Sequence, residues 1–187
     1  MVSVAALWLP ILVGAVLVFI VSSVIHTMLG YHNSDFQGVP NEEAFRNAVR
    51  PLNIPPGDYL VPYCTGKDRN SDEFTAKMND GPLAFLTVLP ADAFTNMGKS
   101  LGQWFVYCLL TGTIAAYVTG IAYGPGADYM AIFRMSGTVA FAAYGWSLFQ
   151  NSIWNKKDWK ATGKSVLDAF VYGLVTAGAL GWLWPAA

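Results

Sequence analysis

The chain has 187 residues, of which 54% are hydrophobic, 14% aromatic and only 12% charged, about half the charged share of an ordinary soluble domain. This composition excludes an intrinsically disordered chain, which needs low hydrophobicity and high net charge. Eleven basic against twelve acidic residues leave a net charge of −1, so there is no positive surplus to meet the phosphates of a nucleic acid. Two cysteines, Cys64 and Cys108, are too few for a disulfide framework. The balance is that of an integral membrane protein.

Four stretches are apolar and long enough to cross a hydrocarbon core, which takes about 20 helical residues. The first, at about 5–29, carries no Asp, Glu, Lys or Arg. No positive charge precedes it and no small-residue cleavage site follows, so it reads as a span rather than a signal peptide. Residues 30–100 are more polar and rich in turn formers. Within them, Asn41 ahead of Glu42 and Glu43, with Ala44, Phe45 and Val49 on one side, predicts a short capped amphipathic helix ending before Pro51. Residues 55–63 are expected to be extended. Ser71 followed by Asp72 and Glu73 predicts another helix, stopped at Gly81. Residues 81–90 are apolar but too short to span, and are expected to lie against the bundle or the membrane interface.

The second and third spans, at about 101–123 and 129–153, flank the tight turn Gly124-Pro125-Gly126-Ala127-Asp128, which can join only antiparallel neighbours. The fourth, at about 166–184, ends at Pro185. Inside a bilayer each span must bond its own peptide groups, so each should be helical. The expected fold is all-α: a single membrane domain over 1–187, with four transmembrane helices and a cap of short helices and extended segments at 30–100.

Charge sets the expected orientation. Ten of the eleven basic residues fall in 30–100 and 154–165, and the other, Arg134, lies within the third span. The positive-inside rule therefore places 30–100 in the cytoplasm and both termini outside. Trp8, Tyr123, Tyr129, Trp182 and Trp184 then anchor the outer surface, and Trp104, Trp154 and Trp159 the inner one.

Several residues carry possible chemistry. His26 and His32, the only histidines, close the first span, and Asp35 follows within three residues. Imidazole and carboxylate suit a transition metal, and Cys64 could add a thiolate from the cap. On one continuous helix His26 and His32 would point about 120° apart, so a shared metal requires a break, which Gly30 can supply. The competing reading is that both are interfacial polar residues bonded to backbone or cap groups. The span cores contain no histidine, so no intramembrane haem or chlorophyll ligand is expected.

Arg134 and Asp168 are the charges within the spans. Such groups usually face a bundle interior or a water-filled cavity. Arg134 reads either as a binding group for an anionic substrate or lipid headgroup, or as a residue that snorkels or packs near Asp128, Thr119 and Tyr117. For Asp168, Lys164 one turn earlier is the simplest partner. Residues 93–100 fit a relaxed phosphate-loop pattern ending in Lys99 and Ser100. That motif needs a parallel sheet beside a soluble helix, so no nucleotide partner is expected, and Lys99 reads as an interface anchor. Gly112, Ala116 and Gly120, and likewise Gly173, Ala177 and Gly181, recur at four-residue spacing. These faces allow close helix approach, either within the bundle or against a partner. No serine or cysteine nucleophile arrangement is evident.

The stretches Ser22-Ser23-Val24-Ile25-His26, Tyr31-His32-Asn33-Ser34-Asp35, Gly81-Pro82-Leu83, Trp104-Phe105-Val106-Tyr107-Cys108, Phe133-Arg134 and Gly181-Trp182-Leu183-Trp184-Pro185 resemble bacterial four-span membrane proteins that have no assigned activity. The resemblance implies a location in the bacterial inner membrane and carries over no functional residue. The function expected from the sequence is that of a small accessory or structural subunit of a larger inner-membrane complex. Its expected partners are membrane lipids and either other membrane subunits or further copies of itself. The alternatives are a transporter or lipid-binding protein using Arg134, and a metal-dependent membrane enzyme built on His26, His32, Asp35 and Cys64.

Overall fold

A computed structural model describes all 187 residues. In chain order the elements are α1 (Trp8–Met28), α2 (Glu42–Val49), β1 (Gly57–Val61), α3 (Asp72–Asp80), β2 (Ala84–Val88), α4 (Met97–Ala122), α5 (Tyr129–Gly145), α6 (Phe149–Trp154) and α7 (Trp159–Trp182). The chain is mostly helical and divides into two compact units, one formed by 1–37 with 98–187 and the other by 38–97. Three helical segments, Val4–Met28, Met97–Ala122 and Trp159–Trp182, are long and apolar enough to cross a membrane.

In the first unit, α1 follows a 3-10 turn whose N-cap, Ser3, accepts from the Ala6 amide. Pro10 sits in the first turn of α1, where its missing N–H has no intrahelical acceptor to lose. Ile11, Ala15, Val18, Ser22 and Ile25 form the buried stripe of α1, while Leu9, Leu12, Leu17, Ile20 and Val24 face outward. Both faces are apolar, so burial follows side-chain size and fit rather than polarity, as expected where lipid replaces water.

The sequence-predicted packing residues are all packed within this unit. A Cβ on Gly112 would touch Ile11 at 3.6 Å, and one on Gly120 would collide with the Val2 carbonyl. Ala116 and Ala177 are fully buried. A Cβ on Gly173 would meet the Phe141 backbone nitrogen at 3.1 Å, and one on Gly181 the Tyr129 ring at 2.7 Å. Thus α4 runs antiparallel to α1, and α5 antiparallel to α7. The hydroxyls of Thr119, Ser136 and Thr176 donate to carbonyls one turn back, at 2.7, 2.7 and 2.9 Å, which satisfies them without water.

Two span boundaries differ from expectation. The final helix begins at Trp159 rather than near 166, because Asp158 caps it by accepting from the Lys160 amide at 3.1 Å. Lys160 and Lys164 therefore belong to its first turns. The third apolar stretch is not one α-helix: α5 stops after 17 residues at Gly145, and a 3-10 turn over Trp146–Leu148 leads into α6. At Gly145 an added Cβ would lie 2.6 Å from that of Ala169, so α5 is still packed tightly on α7 where it ends.

Trp104, Tyr107, Tyr144 and Tyr172 form an aromatic cluster with ring centroids 5.5–6.2 Å apart. The Tyr144 hydroxyl is buried there without a hydrogen-bond partner, at a cost of about 1–3 kcal/mol that the edge-to-face ring contacts help to offset. At one end of the unit, Val2 N–H donates to the Gly120 carbonyl at 2.8 Å and Gly126 N–H to the Pro185 carbonyl at 2.8 Å. Trp184 Nε1 donates to the Gly124 carbonyl at 2.9 Å. The N-terminus is therefore tied to the end of α4, and the C-terminus to the segment joining α4 and α5.

In the second unit, Asn41 caps α2 and Ser71 caps α3, each accepting from the amide three residues on. Residues 84–88, within the apolar stretch 81–90, are extended. They form β2, paired antiparallel with β1 in the register Tyr59–Leu86. Pairing satisfies their peptide groups within the unit, which an unpaired segment could not do.

Candidate functional site

The polar site of the first unit is built where α1 ends. Gly30 reverses the chain with a left-handed φ of 64°, a conformation that penalises any side chain bearing a Cβ. The 3-10 turn Tyr31–Ser34 then runs back against α7. On a straight helix His26 and His32 would point away from each other. With the reversal at Gly30 their rings meet edge to face, at a centroid distance of 4.6 Å.

His32 lies between two carboxylates. Its Nδ1 is 2.5 Å from Asp35 Oδ2 and its Nε2 is 2.7 Å from Asp168 Oδ2. Tyr31 donates its hydroxyl to the other oxygen of Asp168. Lys164 donates to Asp35 Oδ1 at 2.8 Å, to Ser34 Oγ at 2.8 Å and to the Tyr31 carbonyl at 2.6 Å. The sequence-predicted pair of Lys164 with Asp168 is therefore replaced. One helical turn brings their backbones together, but Lys164 reaches Asp35 while Asp168 points at Tyr31 and His32. Asp168 is 3% exposed, so these partners are what make its burial tolerable.

Burial opposes a charged His32, but its hydrogen bonds to Asp35 and Asp168 outweigh this and hold its pKa above the usual 6.5. Burial likewise favours neutral Asp35, yet Lys164 and His32 prevail and hold its pKa below 3.8. Burial, with Asp168 alongside, pushes the Tyr31 hydroxyl well above its ordinary value of 10.0. The cluster is thus a closed set of two cations and two anions. His32 contributes stability fully below 6.5 and loses it as pH rises through its raised folded pKa; Asp35 contributes fully above 3.8 and loses it as pH falls through its lowered one. The cluster's contribution is therefore expected to peak between these two values. Thermal unfolding in lipid nanodiscs with chelator present checks this, and His32→Gln should abolish the alkaline fall.

Comparison with protein-family models, curated proteins and solved structures found no match.

Of the sequence-predicted metal residues, His26 and His32 come together, and the third ligand-type group beside them is Asp168 rather than Asp35. One ligand atom from each of His26, His32 and Asp168 lies within 4.8 Å of the others. Asp35 stands behind His32, on Nδ1. Cys64 is a free, half-buried thiol of the second unit, and the cluster draws only on the first. Sequence reasoning missed Tyr31 altogether and gave Asp168 the wrong partner. The one available cue was that Asp168 is the single charge in the apolar run 166–184.

Arg134 lies apart from this cluster. It is exposed, forms none of the ion pairs, and lines a groove of about 230 Å³ with Phe133, Gly137, Thr138, Phe141 and Phe170. Residues 93–96 belong to the segment between β2 and α4 and residues 97–100 to the first turn of α4, and the chain's sheet is two antiparallel strands. The parallel sheet that a phosphate loop requires is not formed.

Proposed function

We propose that the chain is a four-span protein of the bacterial inner membrane, with both termini outside and residues 30–100 as a cytoplasmic cap. It serves as a small accessory or structural subunit of a larger membrane assembly. The course of the third apolar stretch supports four spans. It tracks α7 from the Gly181–Tyr129 contact to the Ser152–Thr162 hydrogen bond of 2.7 Å, a rise of about 28 Å along α7, close to the thickness of a hydrocarbon core. The placement of lysine and arginine supports the orientation.

The closed charge cluster carries the functional reading. A transporter or a general acid–base enzyme needs an ionisable group free to exchange partners along a path. Here His32, Asp35, Lys164 and Asp168 are committed to one another, so they hold helices together. The small-residue faces are also consumed inside the unit. A partner helix would then meet the larger side chains that α4 turns outward, Val106, Leu110, Ile114, Tyr117 and Ile121. Native-expression protein extracted in mild detergent or directly into nanodiscs tests this reading. A particle well above the 20.3 kDa of one chain, with a second polypeptide in fixed ratio, is the expected result; a lone monomer counts against it.

A second reading is favoured by Arg134, a cation without a carboxylate beside a groove in the membrane unit. That combination suits an amphiphile with an anionic head. Anionic lipid retained by the same purified material, and lost in Arg134→Ala, would support it.

A further inference from the structure

We propose that His26, His32 and Asp168 bind one first-row divalent transition-metal ion, with Asp35 as the residue that positions His32. The inference goes beyond the accessory-subunit reading: the ion takes the place of the His32–Asp168 hydrogen bond and joins the same two segments, so these groups still tie the end of α1 to α7.

Four observations carry it. First, the donor atoms are already gathered, lying within 4.8 Å of one another. Two donors on a tetrahedral zinc at about 2.1 Å lie about 3.4 Å apart, so the widest pair has to close by up to about 1.4 Å to form the site. Second, the donors are two imidazoles and a carboxylate. This set suits zinc or iron and leaves at least one position for water, whereas magnesium and calcium select oxygen. Third, the Asp35 carboxylate accepts from His32 Nδ1, and Lys164 fixes that carboxylate from its far side. A carboxylate on the distal nitrogen sets the tautomer that presents Nε2 to a metal. Fourth, His26 has no role in the charge cluster. It is exposed and makes none of the cluster's hydrogen bonds, yet its ring stands 4.6 Å from that of His32.

Binding exchanges a proton for the ion. Without metal, His32 donates from both ring nitrogens. On binding, the Nε2–H bond breaks and its proton leaves to water. The Nε2 lone pair and the released Asp168 oxygen then coordinate the ion, and His26 closes the set. Tyr31 keeps its hydrogen bond to the second Asp168 oxygen, and no electron is transferred. The site lies at the end of α1, with His26 exposed and His32 half-buried.

The test uses the full chain, expressed without a polyhistidine tag, stripped with chelator and reconstituted in nanodiscs. Zinc is the probe, with bound metal counted by elemental analysis and affinity measured by calorimetry. The proposal predicts one zinc per wild-type chain. His26→Gln should lose that zinc while keeping the wild-type helical content and melting behaviour in chelator, since His26 lies outside the charge cluster. Asp35→Asn should keep the one-to-one stoichiometry and weaken affinity by about 10–100-fold, as expected when a supporting carboxylate is removed. The proposal is overturned if wild-type protein binds no zinc above background. It is also overturned if His26→Gln binds zinc as tightly as wild type, because the chain has only two histidines.

Discussion

Asp168→Ala is expected to destabilise the membrane unit by about 3–5 kcal/mol, the usual cost of removing one partner from a buried ion pair. Both carboxylate oxygens of Asp168 are engaged, by Tyr31 and by His32. Truncation therefore strands a hydroxyl and an imidazole at once, in a helix face packed against α1. It also removes one of the two α7 side chains, Lys164 being the other, that hold the Tyr31–Ser34 turn. Asp168→Asn keeps the volume and one acceptor oxygen, so its loss should be smaller, about 1–3 kcal/mol. Denaturant unfolding in nanodiscs with chelator present measures both. An alanine variant as stable as wild type would mean that the cluster is not a structural clasp.

Gly173→Leu is expected to separate α5 from α7 and prevent the native bundle from forming. The space above Gly173 is filled by the Phe141 backbone nitrogen and Cβ, each 3.1 Å from where a Cβ would sit, and by the Gly137 carbonyl at 3.3 Å. These are main-chain or near-main-chain atoms of a facing helix, which cannot rotate away as a side-chain tip can. Gly173→Ala should therefore already cost about 1–3 kcal/mol through overpacking, and the leucine variant more. Gly178 is the control. It lies in the same helix with nothing within 4 Å of an added Cβ, so Gly178→Leu should leave stability unchanged. Equal behaviour of the two leucine variants would contradict the close approach of α5 and α7.

The parts of this fold legible in the sequence are those with local causes. Asn41 and Ser71 announce α2 and α3 because their side chains cap amides three residues away. Long apolar runs announce helices because a bilayer leaves the peptide groups no other partner. The faces of those helices are harder to read. Leu9, Leu12 and Leu17 look outward and Ile11 and Val18 inward, a difference that hydropathy does not encode when lipid is the solvent.

The site was legible by halves. His26, His32 and the reversal at Gly30 are near neighbours in sequence, so their meeting could be anticipated. Asp168 joins them from 136 residues away, and that pairing is decided by how α1 packs on α7. The local rule for Lys164 and Asp168 failed for the same reason. A carboxylate brought in by tertiary packing competes for the lysine, and Asp35 is the one it meets. For residues 84–88, apolar character alone did not reveal the pairing with β1, which gives their peptide groups partners from far along the chain.

A double-mutant cycle between His32 and Asp168 tests the central claim most directly. With His32→Ala, Asp168→Ala and the double variant unfolded in nanodiscs under chelator, a coupling of about 1–3 kcal/mol is predicted, within the range found for groups in one buried network. Effects that add to within about 0.5 kcal/mol would show that the two side chains do not act on each other, and the clasp between α1 and α7 would have to be abandoned.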